Sequence, residues 1–219
     1  MTVAAIFDVD GTLVTFQFDM KGTRQALIEE LARRGYDPAG IDLKTPTQTI
    51  LDAARSQTST DEQGRYEGLR TAAFDLLDRF EAVSASTTAP IAGVRGALER
   101  LKSRGVRIAV LTNSGRNAAS VSLRRAGLTD LFEFVLTRDE TIVMKPNPGG
   151  LAMAASRFGP TVESVYYVGD SPYDIAAARG AGVKMVAVAT GSYSAERLRS
   201  EGADLVVASV ADVPVVLGV

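Results

Sequence analysis

The stretch Ile6–Val14, "IFDVDGTLV", sets two carboxylates, Asp8 and Asp10, on alternate positions at the end of an apolar run and follows them with Gly11. Residues i and i+2 of an extended chain point to the same side, so both acids face one way, and the glycine lets the backbone bend away at once. The run that leads into them, "VAAIF" (Val3–Phe7), is apolar on consecutive rather than alternate positions, which fits a parallel strand covered on both faces. Two charges at the mouth of a buried strand therefore need an explanation from the rest of the chain.

Four more runs read as strands: "VRIAVL" (106–111), "FEFVL" (132–136), "VYYV" (165–168) and "KMVAVA" (184–189). Segments of helical character separate them, namely "NAASVSLRRAGL", "GGLAMAASRFG" and "YDIAAARGAG", each with glycine near its end. Strand alternating with helix predicts right-handed βαβ units and an α/β fold with a doubly wound parallel sheet. Residues 14–90 break that rhythm, with three helical stretches, "KGTRQALIEELARRG", "TQTILDAARSQ" and "YEGLRTAAFDLLDRFEAV", between turn-rich linkers. The expected organisation is an α/β core made of residues 1–13 and 91–219, with 14–90 as an inserted helical domain and the sheet resuming near Ile91.

Composition narrows the chemistry. The 219 residues include no cysteine and no histidine, which removes disulfides, thiolate chemistry and the commonest general base and transition-metal ligand. Carboxylates, lysine and hydroxyls remain, and these suit a hard cation held by oxygen ligands. A net charge of −2, without a run of arginine or lysine, gives no reason to expect nucleic acid as a partner. The opening "MTVAAIFDVD" lacks the basic start of a signal peptide, and "ADLVVASVADVPVVLGV" is interrupted by Asp204, Asp212 and Pro214, so neither a leader nor a membrane helix is expected. The expectation is a cytoplasmic protein with no membrane partner.

In an open parallel sheet, ligands bind outside the carboxyl ends of the strands. The residues at those ends are Asp8 and Asp10 after the first run, Thr112, Asn113 and Ser114 after the second, Lys145 beyond the third, and Asp170 with Asp174 after the fourth. Each has a plain structural explanation when taken alone. "DVDG" suits a tight turn, "LTNSG" a helix cap, and Lys145 a solvated loop. Asp174 falls at the third helical position behind Ser171 as N-cap and Pro172 at N1, where an acid completes a capping box. Asp170 precedes that cap at the end of an apolar strand, where a buried charge needs a partner. Together they supply a nucleophile, ligands for a cation and donors for phosphoryl oxygens, the set that phosphoryl transfer requires.

The motifs "DVDGT" (8–12), "LTN" (111–113), "KPNP" (145–148) and "GDSPYDIAAARGAG" (169–182), in this order, resemble those of the haloacid dehalogenase superfamily in its phosphatase branch. The resemblance implies that Asp8 attacks phosphorus and forms an aspartyl-phosphate, while Asp10 protonates the leaving oxygen and then deprotonates water. It implies that Thr112 and the backbone amide of Asn113 hold phosphoryl oxygens, that Lys145 neutralises charge, and that Mg2+ is bound by Asp8, the Asp10 carbonyl and Asp170. Asp174 acts through water or hydrogen bonds to these groups. The insertion resembles the helical cap of members that act on small phosphorylated metabolites, phosphoglycolate phosphatases among them.

Where those relatives often continue from glycine-threonine with an acidic-serine pair, "LVTFQFDMKG" stands instead, which leaves the substrate open. Phe16 and Phe18 are expected to pack in a core, with lining of the pocket as the alternative, and Lys21 and Arg24 to be solvated helix charges, with a second-anion contact as the alternative. Pyrophosphatase and sugar-phosphate mutase remain as rivals in the superfamily, although mutases of this type commonly use a cap histidine. A dehalogenase has no need of Asp10, and a phosphonate hydrolase would need a cap lysine such as Lys21 or Lys44. Outside the superfamily, a signalling receiver domain carries its phosphoacceptor after the third strand, where this chain has "LTRDE". A non-catalytic phosphoryl-binding or regulatory scaffold is the rival of another class.

Overall fold

In the computed structural model, which describes residues 2–15, 17–141, 143–159 and 164–219, the apolar runs form one parallel sheet. Its strands are β1 (Val3–Phe7), β2 (Arg107–Leu111), β3 (Val135–Leu136), β4 (Ser164–Gly169), β5 (Lys184–Val188) and β6 (Leu205–Val207), lying in the order β3-β2-β1-β4-β5-β6. The order reverses at β1, so a crevice opens between the carboxyl ends of β1 and its neighbours, where a doubly wound sheet places its ligand. Register keeps those ends level. Phe7 lies opposite Val110 on β2 and Val168 on β4, and the Asp8 amide donates to the Val168 carbonyl at 2.9 Å.

Alternate residues of each strand feed opposite faces. From β1, Ala5 and Phe7 pack with Leu98 and Leu101 of α4 (Val94–Ser103), Leu123 of α5 (Arg116–Arg125) and Val213 of α9 (Val213–Val216). Ala4 and Ile6 pack on the other face with Leu151 of α6 (Gly149–Ser156), Ile175 of α7 (Pro172–Ala181) and Leu198 of α8 (Ala195–Ser200). Covering on both faces is why the strands read as continuous apolar runs.

The sequence reading assigned no element to residues 94–103 or 205–207, which form α4 and β6. The sheet thus resumes at Arg107, not near Ile91. "FEFVL" contributes only Val135 and Leu136 as strand. β6 is short and partly exposed, and the polar residues around it dilute the apolar run that marks the inner strands.

Between Thr15 and Ala89 the regular elements, among the described residues, are helical: α1 (Met20–Arg33), α2 (Thr47–Ser56), a 3₁₀ turn and α3 (Gln63–Thr87). Asp19 caps α1 by accepting from the Gly22 amide at 2.8 Å. Leu27, Leu31, Ile50, Leu51, Leu69 and Ala73 form a third apolar cluster, which also takes in Met144 from the loop before Lys145. The chain leaves the sheet and returns to it side by side. The Thr15 amide donates to the Ala89 carbonyl at 2.8 Å, and the Ile91 amide to the Leu13 carbonyl at 3.1 Å. Phe16 lies outside the described residues, and Phe18 packs its ring against Phe80 of α3. No helix among the described residues is long and apolar enough to cross a membrane.

Candidate active site

Asp8, Asp10, Thr112, Asn113, Lys145 and Asp170 all line one cavity of about 240 Å³ at the carboxyl edge of the sheet, and Asp174 lies directly behind it. They arrive on four different connections, after β1, β2, β3 and β4. After β1, Gly11 turns with φ +80°, and its carbonyl accepts from the Thr190 hydroxyl at 2.6 Å, which pins the loop beyond β5 against it. After β4, Ser171 caps α7 and Asp174 completes the capping box, with Pro172 at N1 and Gly182 closing the helix in the left-handed region.

Lys145 is the centre of charge. Its Nζ, buried with the rest of the side chain, lies 2.9 Å from Asp8 Oδ1, 2.6 Å from Asp174 Oδ1 and 2.6 Å from the Tyr167 hydroxyl. Burial alone would lower the lysine, but Asp174 and Asp8 outweigh it and hold the ammonium above its ordinary value. The lysine loop is fastened to the loop after β2 by a two-way clasp. Asn113 Nδ2 donates to the Lys145 carbonyl at 2.9 Å, and the Lys145 amide donates to Asn113 Oδ1 at 2.8 Å.

Asp10 also lines the cavity, and its Oδ2 accepts from the Ser114 hydroxyl at 2.6 Å. Burial raises its pKa, and the Ser114 bond and Lys145 oppose the rise. The Ser114 amide in turn donates to Thr112 Oγ1 at 3.1 Å, which leaves the Thr112 proton free to point elsewhere. Asp8 is pushed up to about 7 by burial, against the pull of Lys145 and with the push of Asp174 and Asp10. Asp170 is raised well above the carboxylate range by burial and by Asp174 and Asp8. Four carboxyl groups crowd one ammonium, and the raised pKa values of Asp8, Asp10 and Asp170 mark a site short of positive charge.

That shortage fits a hard cation. Carboxylate oxygens of Asp8, Asp170 and Asp174 lie within 4.8 Å of one another, an all-oxygen donor set. Both Asp174 oxygens are already taken, one by Lys145 and Tyr167 and the other by Ser171, whereas the side-chain partner of Asp170 is the Thr12 hydroxyl, at a long 3.4 Å from its Oδ1. Asp170 also sits in a cradle of backbone. A Cβ at Gly191 would fall 1.7 Å from its Oδ2, and one at Gly11 would fall 2.5 Å away. The geometry thus leaves Asp8 and Asp170 open toward a cation and keeps Asp174 for the lysine.

Residues 2–182 match the model of the haloacid dehalogenase-like hydrolases. The chain belongs to that family. Among curated proteins, it is 30% identical over 210 residues to the phosphoglycolate phosphatase of Caulobacter vibrioides, covering 95% of this chain and 87% of the relative. It is 34% identical over 212 residues to the phosphoglycolate phosphatase of Rhodospirillum rubrum, covering 93% of this chain and 86% of the relative. In fold it is similar to the crystal structure of a hydrolase from Pseudomonas syringae, with a TM-score of 0.68 at 23% identity over 99% of this chain and 98% of that one.

This haloacid dehalogenase-like hydrolase has site residues that sequence reasoning did not reach. Tyr167 lies inside an apolar strand run, yet its hydroxyl bonds both Lys145 and Asp174. The tyrosine pair in "VYYV" was the one available signal, since a buried tyrosine needs a partner for its hydroxyl. Glu81 and Arg138 meet beside the Ser114 loop and carry no motif. Arg24 overturns its expected place as a solvated helix charge. It is only 5% exposed and lines the cavity, while Lys21 is exposed as expected. α1 points Arg24 inward because it shares the buried face that carries Thr23, Leu27 and Leu31.

Proposed function

We propose that this hydrolase is a Mg2+-dependent phosphatase that releases phosphate from a small, phosphoglycolate-like metabolite through a phosphoaspartyl group on Asp8. The observation that carries the proposal is the position of Lys145 Nζ, 2.9 Å from Asp8 Oδ1, in a buried site where Asp10 is separately held by Ser114. Two carboxylates in different environments suit two different roles. The relatives named phosphoglycolate phosphatase support the substrate class.

In this proposal an Asp8 oxygen forms a bond to phosphorus as the bond from phosphorus to the leaving oxygen breaks, and Asp10 passes its proton to that oxygen. Asp10 then takes a proton from water as the water oxygen attacks phosphorus and frees Asp8. The raised pKa of Asp10 supports its use as an acid. Thr112, with its proton outward, and the Asn113 amide donate to phosphoryl oxygens, and Lys145 offsets charge on Asp8 and the phosphate. Asp174 and Tyr167 hold the ammonium in place. Asp8, Asp170 and the Asp10 carbonyl would hold Mg2+, which when bound compensates the charge that develops on the phosphoryl group.

Residues 1–13 and 91–219 are proposed as the catalytic core and 14–90 as a helical cap, a division supported by the separate apolar cluster of α1 to α3. Such a cap closes over the substrate and excludes water. The proposed location is the cytoplasm, where charge retains phosphorylated metabolites. The test is phosphate release from 2-phosphoglycolate, an aryl phosphate and a panel of phosphorylated metabolites, with and without Mg2+. Release that vanishes with chelator and in Asp8→Asn supports the proposal. No turnover of any compound overturns it in favour of a phosphoryl-binding scaffold.

A further inference from the structure

Among the described residues, Arg24 is a cation without a counter-ion. Its guanidinium is buried under α1, its Nη1 donates to the Thr47 hydroxyl, and the Tyr173 and Tyr193 hydroxyls are its other polar neighbours. Its Nε is wholly buried and has no hydrogen-bond partner among the described residues. The other deeply buried arginine, Arg138, shows the usual arrangement, since Asp78 and Glu81 both pair with it. Three hydroxyls are poor compensation for a buried positive charge, because such a charge needs a paired anion as well as hydrogen bonds.

The missing anion has a place to sit. Arg24, Thr47, Tyr173 and Tyr193 line the same cavity as Asp8 and Lys145. Phe18, Met20, Leu77 and Met144 add an apolar surface to the lining of this cavity. A polyol phosphate would bury several hydroxyls against this surface without partners, at a cost for each. Among the residues that line the cavity, only Arg24 and Lys145 are cationic, and Lys145 is already committed to two carboxylates. The remaining single positive charge matches a carboxylate better than a dianionic second phosphate, and a guanidinium fork meets a carboxylate in two parallel bonds.

We propose that Arg24, with the hydroxyls of Thr47, Tyr173 and Tyr193, forms a subsite for the carboxylate of a short phosphorylated carboxylic acid. The inference rests on the phosphatase reading for the other end of that molecule and adds the residue that selects it.

The experiment compares 2-phosphoglycolate with ethyl phosphate, which places a methyl group where the carboxylate would be. Steady-state kinetics with Mg2+ give the ratio of kcat/KM for the two substrates on one preparation, so a partly folded variant does not distort the result. The wild type should favour 2-phosphoglycolate. In Arg24→Gln that ratio should fall about 30-fold or more, as expected for the loss of a charge-assisted contact in a buried site. Arg24→Lys should retain part of the preference, since it keeps the charge and loses the fork. A ratio unchanged in Arg24→Gln overturns the subsite and leaves the phosphatase reading standing. If the wild type hydrolyses neither compound, the phosphatase reading fails only if the wider panel of phosphate esters is also left intact, and calorimetric titration with the same two compounds decides the subsite. Tighter binding of 2-phosphoglycolate that is lost in Arg24→Gln supports it, and equal binding of the two compounds overturns it.

Discussion

Arg138, on the loop after β3, donates to Glu81 Oε1 on α3 at 2.5 Å, although no part of Arg138 is exposed. The other oxygen of Glu81 accepts from the Gly115 amide at 2.9 Å, and the preceding residue, Ser114, holds Asp10. One carboxylate thus ties the long helix of the insertion to the loop that supports the proposed acid/base. Arg138→Met should leave Glu81 buried without its partner and lower stability by about 3–5 kcal/mol, measured by urea unfolding. A change under about 1 kcal/mol would show that the pair does not act as a buried one.

Glu81 also carries a pH signature. Burial pushes it up to about 7, against the pull of Arg138 and the Gly115 amide. Between its ordinary value near 4.5 and about 7 the folded protein holds a proton that the unfolded chain has released. Its contribution is therefore full below the ordinary value and is lost as pH rises through about 7. Glu81→Gln should flatten that part of the stability profile. Thermal melts of both proteins from pH 4.5 to 8 check this, and parallel profiles would refute it.

Lys145→Met should be more damaging than Asp174→Asn. The first removes the ammonium that Asp8 and Asp174 share and leaves two buried carboxylates unpaired, at a cost of about 3–5 kcal/mol. The second keeps the shape and most of the hydrogen bonds, so it should stay folded while activity falls about 10- to 100-fold, because the lysine loses an orienting charge. Unfolding curves together with kcat separate the two outcomes.

Gly191→Ala tests the proposed cation site by sterics alone. The new methyl would overlap Asp170 Oδ2, 1.7 Å from where the Cβ must go, and force the carboxylate or the loop to move. The Mg2+ concentration for half-maximal activity should rise about 10-fold or more. An unchanged Mg2+ requirement would take Asp170 out of the ligand set.

Ser114→Ala removes the hydroxyl that donates to Asp10 at 2.6 Å without touching the rest of the cavity wall. kcat should fall about 10-fold with KM little altered, the pattern of a lost transition-state interaction rather than of lost binding. A rise in KM alone would place Ser114 with the substrate instead of with Asp10.

The sheet and the proposed chemical site were legible in the sequence for one reason. Asp8, Thr112, Lys145 and Asp170 follow buried parallel strands, and the topology of such sheets brings strand ends together whatever lies between them. Local rules also placed Asp174 correctly in its capping box, since the signal needs only four consecutive residues. Those rules did not show that its other oxygen serves Lys145, because that contact spans 29 residues and depends on how two loops meet. Arg24 and Arg138 were hidden for the same cause. An arginine on an amphipathic helix or in a polar loop looks solvated until the surface that covers it is known. α4 and β6 fall outside the expected elements, α4 as a short helix beyond the expected linker and β6 because polar neighbours dilute its apolar run.

The insertion leaves and re-enters the sheet at neighbouring points, where Thr15 and Ala89 exchange hydrogen bonds through the Thr15 amide and Thr15 Oγ1. Everything between them is, to the sheet, a single closed loop whose ends are bonded to each other. Lengthening, shortening or rewriting it leaves the register of β1 against β2 and β4 untouched. In the proposed division of labour, mutation in that one segment alters its share of the cavity wall, Arg24 and Thr47 included, while the residues at the strand ends stay where the sheet sets them. The rim of the site can thus be rebuilt without rebuilding its floor.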